Sequence, residues 1–187
     1  MTLQVLGICG SLRAKSFNRY LLEAARERMP TDATLSIFTL DGIPPFNQDE
    51  EQNPPQAVTT FKKAILNADA LLFGSPEYNY SVSGVLKNAI DWATRPYGEN
   101  PFKAKPAAIM GATIGGMGTS RAQYHLRQIL GALNVYTLTQ PEMMISAAQE
   151  CFDQAGKLTA PQADEQLKKL LKRLCEWTEQ LKKGGAT

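Results

Sequence analysis

The chain has no apolar run near the roughly 20 residues that a membrane-spanning helix requires. Its first apolar stretch, Leu3 to Cys9, is short and has no basic leader before it. A secretory signal peptide and a membrane partner are therefore not expected. Cysteine is scarce. Cys9, Cys151 and Cys175 are odd in number, far apart and without a CxxC pair, which provides neither a disulfide framework nor a zinc site. Free thiols in a reducing cytoplasm are the expectation. There is no excess of one charge sign: 20 basic and 18 acidic side chains leave a net charge of +2, too balanced to argue for nucleic acid. Histidine occurs once, at His125, and no repeat or low-complexity tract is present.

What is present is an ordinary soluble composition over 187 residues, 43% hydrophobic and 20% charged, enough for one domain spanning 1–187 with a sizeable core. Leu3–Cys9 reads as a buried strand. Asn18–Met29 reads as a helix with Leu21, Leu22 and Ala25 on one face. Ala33–Leu40 alternates like a strand. A polar connection with four prolines, residues 41–55, precedes a helix over Gln56–Asn67. Asp69–Gly74 and Pro106–Met110 read as strands, Val85–Thr94 and Arg121–Leu133 as helices, Val135–Leu138 as a short strand, and Ala163–Lys183 as a terminal helix. Alternating strands and crossover helices predict a parallel sheet covered on both faces. About five strands predict an α/β, flavodoxin-like three-layer sandwich in the order 2-1-3-4-5. Ligands in such sheets bind beyond the carboxyl ends of the strands. The rule singles out three loops, Gly10–Ser16, Ser75–Ser83 and Gly111–Thr119.

The first loop opens a helix whose N–H groups and dipole suit an anion. Ser11, Ser16 and Asn18 add donors and Arg13 a bidentate charge. One phosphate is expected there. A pyrophosphate is not, because "GSLRAKSFN" lacks both the dinucleotide glycines and a P-loop ending. The simpler reading is that Ser16 caps the helix and Arg13 is solvated. The second loop, "PEYNYS", has an acid, no base and two tyrosines, and its successive backbone N–H groups suit the edge of a flat ring such as a flavin's pyrimidine. The third, "GATIGGMG", leaves room for a ring because glycine has no side chain to collide.

The stretches "GSLRAKSFN", "SPEYNYSVSGVLKNAIDW" and "RAQYHLRQIL" resemble the NADPH-dependent FMN reductase family, in its quinone and chromate reductase branch, over roughly Leu3 to Met144. The resemblance implies a phosphate site at Ser11, Arg13, Ser16, Phe17 and Asn18. It implies a ring site at Pro76, Glu77, Tyr78 and Asn79, closed by Thr113, Ile114, Gly115 and Gly116. The cofactor would be FMN and the co-substrate NADPH or NADH. The reaction would be ping-pong hydride transfer to a small acceptor: a quinone, chromate, an azo or nitro compound, or free flavin. Arg121, Tyr124 and Glu142 match positions that relatives use between subunits, which implies a homotetramer built from dimers.

No catalytic acid, base or metal ligand is nominated, since the cofactor carries the chemistry. His125 is assigned to structure or an interface, Asp49, Glu50 and Glu51 to a solvated loop, Lys168, Lys169, Lys172 and Arg173 to the wet side of a helix, and Trp92 to packing near the second loop. A flavodoxin-type electron carrier is the alternative function. It would need a docking surface of one sign, which the interspersed charges do not offer. A phospho-receiver would need clustered aspartates after the first strand, and "GICGSLR" has none.

Overall fold

The computed structural model describes residues 2–185. In chain order its elements are β1 (Leu3–Cys9), α1 (Phe17–Glu27), β2 (Ala33–Thr39), α2 (Gln56–Asn67), β3 (Ala70–Gly74), β4 (Glu77–Tyr78), β5 (Ser81–Val82), α3 (Gly84–Ala93), β6 (Pro106–Ala112), α4 (Ser120–Ala132), β7 (Tyr136–Thr137), β8 (Met143–Ile145), α5 (Ala148–Cys151) and α6 (Pro161–Lys183). The parallel sheet runs β2-β1-β3-β6-β7, with β8 also paired to β6. This is the expected flavodoxin-like order 2-1-3-4-5 with its fifth position shared by two short strands. Tyr136 and Thr137 pair with the start of β6, and Met143–Ile145 pair with its end. The residues between them contain Pro141, which has no N–H to give to a ladder.

Side-chain alternation along the strands builds two cores. Val5, Cys9, Leu72, Ala108 and Met110 pack against Leu21 and Leu22 of α1 and Leu167, Leu170, Leu171 and Leu174 of α6. Leu6, Ile8, Leu71, Phe73 and Ile109 pack against Phe61 and Ile65 of α2, Leu86 and Ile90 of α3, and Leu126 and Leu130 of α4. Each middle strand is apolar in both registers because both its faces are covered.

Several expectations are corrected here. β6 runs two residues further than Met110, through Gly111 and Ala112. α6 starts at Pro161 rather than Ala163, with proline in the first turn, where its missing N–H is harmless. The segment 75–83 contains the antiparallel pair β4–β5. The proline-rich connection is docked rather than free. Pro44 O accepts from Asn88 Nδ2 and Trp92 Nε1, both at 2.8 Å, Phe46 N donates to Asn88 Oδ1 at 2.7 Å, and the Phe46 and Trp92 rings meet edge to face. Trp92 thus fastens residues 44–46 to α3.

Candidate functional site

The three singled-out loops meet above the carboxyl ends of β1, β3 and β6, and each continues the ladder for one more bond. Gly10 N donates to Gly74 O, Ser75 N to Met110 O, and Thr113 N to Ile145 O, all at 2.9 Å. Ser83 joins the first loop to the second: its hydroxyl donates to Gly10 O at 2.6 Å and accepts from Leu86 N, capping α3. Gly10 has no room for a side chain, since a Cβ would lie 2.9 Å from Pro76 Cδ and 3.0 Å from Gly74 O. The third loop is closed by Thr119, buried and left-handed at φ 67°. Its Oγ1 accepts from Gln123 Nε2 at 3.1 Å and lies only 1.9 Å from where a Cβ on Gly111 would be.

Between the loops lies a cavity of about 300 Å³. Its lining brings together Ser11, Arg13, Ser16, Phe17, Asn18, Pro76, Glu77, Tyr78, Thr113 and Ile114, with Ala112 as an unforeseen member. Asn79, Gly115 and Gly116 lie outside that lining. Both glycines face open space: nothing would meet a Cβ on Gly116, and only Thr113 Oγ1, at 3.8 Å, one on Gly115. A second cavity of about 430 Å³ lies beside the same turn. It shares Ser11, Arg13 and Tyr78 and adds Leu12, Gly84 and Val85.

The simple reading of Ser16 as a helix cap does not hold. Ser16 sits at the N-cap of α1 and is buried, yet its side chain makes no cap hydrogen bond, and no acidic residue occupies the first turn. The first-turn N–H groups of α1 therefore have no side-chain cap. Arg13, exposed at the rim, adds positive charge. Asn18 has a different duty from the one its amide first indicates. Its Nδ2 donates to Ala112 O at 2.9 Å and its Oδ1 accepts from Ala112 N at 3.0 Å, clamping α1 to the end of β6.

Glu77, the carboxylate in the lining, is neutralised from behind. Its Oε1 accepts from Arg121 Nε at 2.5 Å, and its Oε2 accepts from Ala122 N at 3.2 Å, so it caps α4. The Arg121 guanidinium lies 3.6 Å from the centre of the Tyr80 ring. Arg121, expected between subunits, is thus engaged inside its own chain, while Tyr124 is 56% exposed. His125 Nδ1 lies 2.9 Å from Ser81 Oγ and ties α4 to the same hairpin. Cys9 is fully buried: burial pushes its thiol up, and its Sγ donates to Ser11 O. The roles of Arg121 and Gln123 in the loop framework were not foreseen, because Glu77 and Met143, which they bond, lie on other elements and no local motif marks them. Among the described residues no cluster of His, Cys, Asp and Glu could hold a metal, and no helix is long and apolar enough to cross a membrane.

The cavity beside the start of α1 thus lies at the carboxyl edge of a flavodoxin-like sheet, where ligands bind in α/β proteins of this class. The sequence model of the family described as NADPH-dependent FMN reductase matches residues 3–150. The chain is 49% identical over 181 residues to an NAD(P)H-dependent FMN reductase of Pseudomonas aeruginosa, covering 96% of this chain and 97% of that one. It is 37% identical over 177 residues to a 2-hydroxy-1,4-benzoquinone reductase of a Burkholderia species, covering 95% and 97%. Among solved structures, the flavoenzyme NAD(P)H:(acceptor) oxidoreductase FerB of Paracoccus denitrificans superposes with a TM-score of 0.88 at 32% identity, covering 96% of this chain and 98% of that one. The chain belongs to the NADPH-dependent FMN reductase family.

Proposed function

We propose that this chain is an FMN-dependent NAD(P)H oxidoreductase that reduces quinones and other small acceptors such as chromate, azo and nitro compounds or free flavin. Relatives named as FMN and quinone reductases support the reading. The observation that carries it is the buried Ser16 hydroxyl, without a cap bond, at a helix start free of acids and beside Arg13. Those features fit one phosphate ester.

Ser11, Arg13, Ser16, Phe17 and Asn18 would hold the FMN phosphate, with the Phe17 and Asn18 N–H groups at the start of α1 as donors. Pro76, Glu77, Tyr78 and Asn79 would line one side of the ring, and Thr113, Ile114, Gly115 and Gly116 the other. Bound FMN supplies two-electron acceptance from a reduced nicotinamide and two-electron donation to the acceptor. The protein's own part is electrostatic and geometric. Arg13 and the α1 start match the charge of a phosphate. Arg121 cancels the Glu77 carboxylate, so no net negative charge faces a ring that gains electron density. The exposed Tyr78 ring leaves a flat apolar wall against which a second planar molecule can stack.

The same reading includes a homotetramer in the cytoplasm, built from dimers. Tyr124, Tyr80, Ile114 and Met117 supply exposed apolar surface near the site, the kind of patch that a second copy covers. The proline-rich loop of one protomer would then approach the flavin of another. Of the residues matched to subunit contacts, Arg121 bonds Glu77 within its own chain, while the Tyr124 ring and the Glu142 side chain are open to a partner. Glu142 offers its side chain only, since its backbone O accepts from Gln166 Nε2. Light scattering that finds only monomer at micromolar concentration would contradict the assembly. For the activity, NADPH added to the purified yellow protein under argon should bleach it within seconds, and a benzoquinone should restore the colour. A protein that stays oxidised with NADPH would be an electron carrier instead.

A further inference from the structure

The hairpin at the ring side of the site turns with only two residues, Asn79 and Tyr80, between the paired Tyr78 and Ser81. Both central residues have positive φ, 48° and 67°. That is the signature of a type I′ turn, whose second central position normally belongs to glycine. Asparagine tolerates this region. Tyrosine does not, because its Cβ crowds the backbone. A residue persists in such a conformation only where its surroundings over-determine it. Within one protomer burial does not hold Tyr80, whose side chain is 67% exposed. The contact that holds it is the Arg121 guanidinium, 3.6 Å from the ring centre. Through Nε the same guanidinium bonds the Glu77 carboxylate at the hairpin's other end, and Glu77 in turn caps α4.

We propose that Arg121 is a positioning residue that locks the strained Asn79–Tyr80 turn, so that the wall Pro76–Asn79 stands preformed for the ring. The inference rests on the FMN reading and extends it. It requires an arginine. The planar guanidinium stacks on an aromatic face and reaches a carboxylate through its edge at the same time, whereas a lysine ammonium is a point charge that cannot do both.

The test is a double-mutant cycle on the holoenzyme. FMN release on dilution is followed by recovery of flavin fluorescence for the wild type, R121K, R121A, Y80G and the R121K/Y80G pair. Expected for R121K is an FMN dissociation constant raised about tenfold, in the middle of the range for residues in direct contact. Y80G relieves the turn, so it should bind FMN within about threefold of wild type, and R121K added to it should change binding by less than about threefold. R121A leaves Glu77 half-paired and should match or exceed the R121K loss. If R121A does not fold, the cycle stands on R121K alone. The cycle separates this role from a merely structural one, because the R121K effect on FMN should vanish in the Y80G background whatever the melting temperature does. A yellow protein in which R121K keeps wild-type affinity, or loses it equally in both backgrounds, overturns the role of Arg121 alone. A wild-type chain that holds no FMN overturns this inference together with the FMN reading.

Discussion

The two ends of the sheet are built on opposite rules. At the amino ends of the strands, polar groups are paired off. Lys105 Nζ donates to the carbonyls of Leu66 and Ala68 at the close of α2. Asp69 bonds Lys182 through one oxygen at 2.6 Å and accepts from Gln4 N through the other at 2.7 Å. At the carboxyl ends, α1 opens without a side-chain cap, Tyr78, Tyr80, Ile114 and Met117 are exposed, and Tyr80 and Thr119 take left-handed backbone. One end finishes what the helices and strands leave unpaired. The other surrounds an open cavity with an uncapped helix start and exposed rings, which is how a ligand site differs from a closed core.

The largest effect should come from closing the space that shapes the third loop. Gly111→Ala puts a Cβ into Thr119 Oγ1 and within 2.7 Å of Ser75 O, a backbone atom that cannot step aside. A loss of about 3 kcal/mol is expected, seen as a melting temperature lower by roughly 6–12 °C. A shift under about 2 °C would show the loop to be softer than described.

Next in size are Arg13→Ala and Ser16→Ala. They should weaken FMN binding by about 100-fold and tenfold, from loss of a charged and a neutral hydrogen-bonding group respectively. Ser16→Ala should leave the melting temperature of the FMN-free protein almost unchanged, although removing a working serine cap costs about 1 kcal/mol. A fall in stability without a fall in affinity would return Ser16 to the role of a cap.

How far this contrast was legible in the sequence depends on the range of the contacts. β1, β3 and β6 announce themselves because strands buried on both faces must be apolar throughout. The three loops announce themselves because helix starts and glycines punctuate them. The hairpin β4–β5 was read as a loop, since strands of two residues carry no period and Tyr80 gives no hint of its backbone. β8 was missed for the same reason, three residues just beyond Pro141. Asn18 lines the cavity between the three loops, but its clamp on Ala112 joins residues far apart in the chain and so has no local signal. Arg121 was placed between subunits because nothing local ties it to Glu77.

Two shifted groups at the amino end give stability a pH dependence. Burial, followed by the Asp32, Glu179 and Glu176 carboxylates, pushes the Cys175 thiol up to about 11. A raised acid favours the folded state while it stays protonated. That stabilisation is complete below the ordinary value of 9.0 and is lost as pH rises through about 11. Urea midpoints should therefore fall more steeply across that window in the wild type than in Cys175→Ala. Burial alone would raise the Asp69 carboxyl, but its bonds from Lys182 and Gln4 N bring it below the ordinary 3.8. Its contribution is present above 3.8 and is lost as pH falls further, and Asp69→Asn should flatten that acid limb. Parallel limbs in wild type and variants would mean that other groups govern both ends of the profile.

The smallest effect is expected of Lys182→Ala, which removes an ion pair whose lysine is 44% exposed. A loss of about 0.5 kcal/mol or less, with FMN binding untouched, fits an exposed pair. A loss of affinity there would break the division between the two ends.

The central claim, that one phosphate is gripped at the opening turn of α1, is tested most directly by calorimetric titration of the FMN-free protein with FMN and, separately, with riboflavin. The two ligands share a ring and differ in the phosphate. Two charge-assisted hydrogen bonds of about 1.5 kcal/mol each predict FMN binding at least about 100-fold tighter than riboflavin. Equal affinities, or no heat from either ligand, would contradict it.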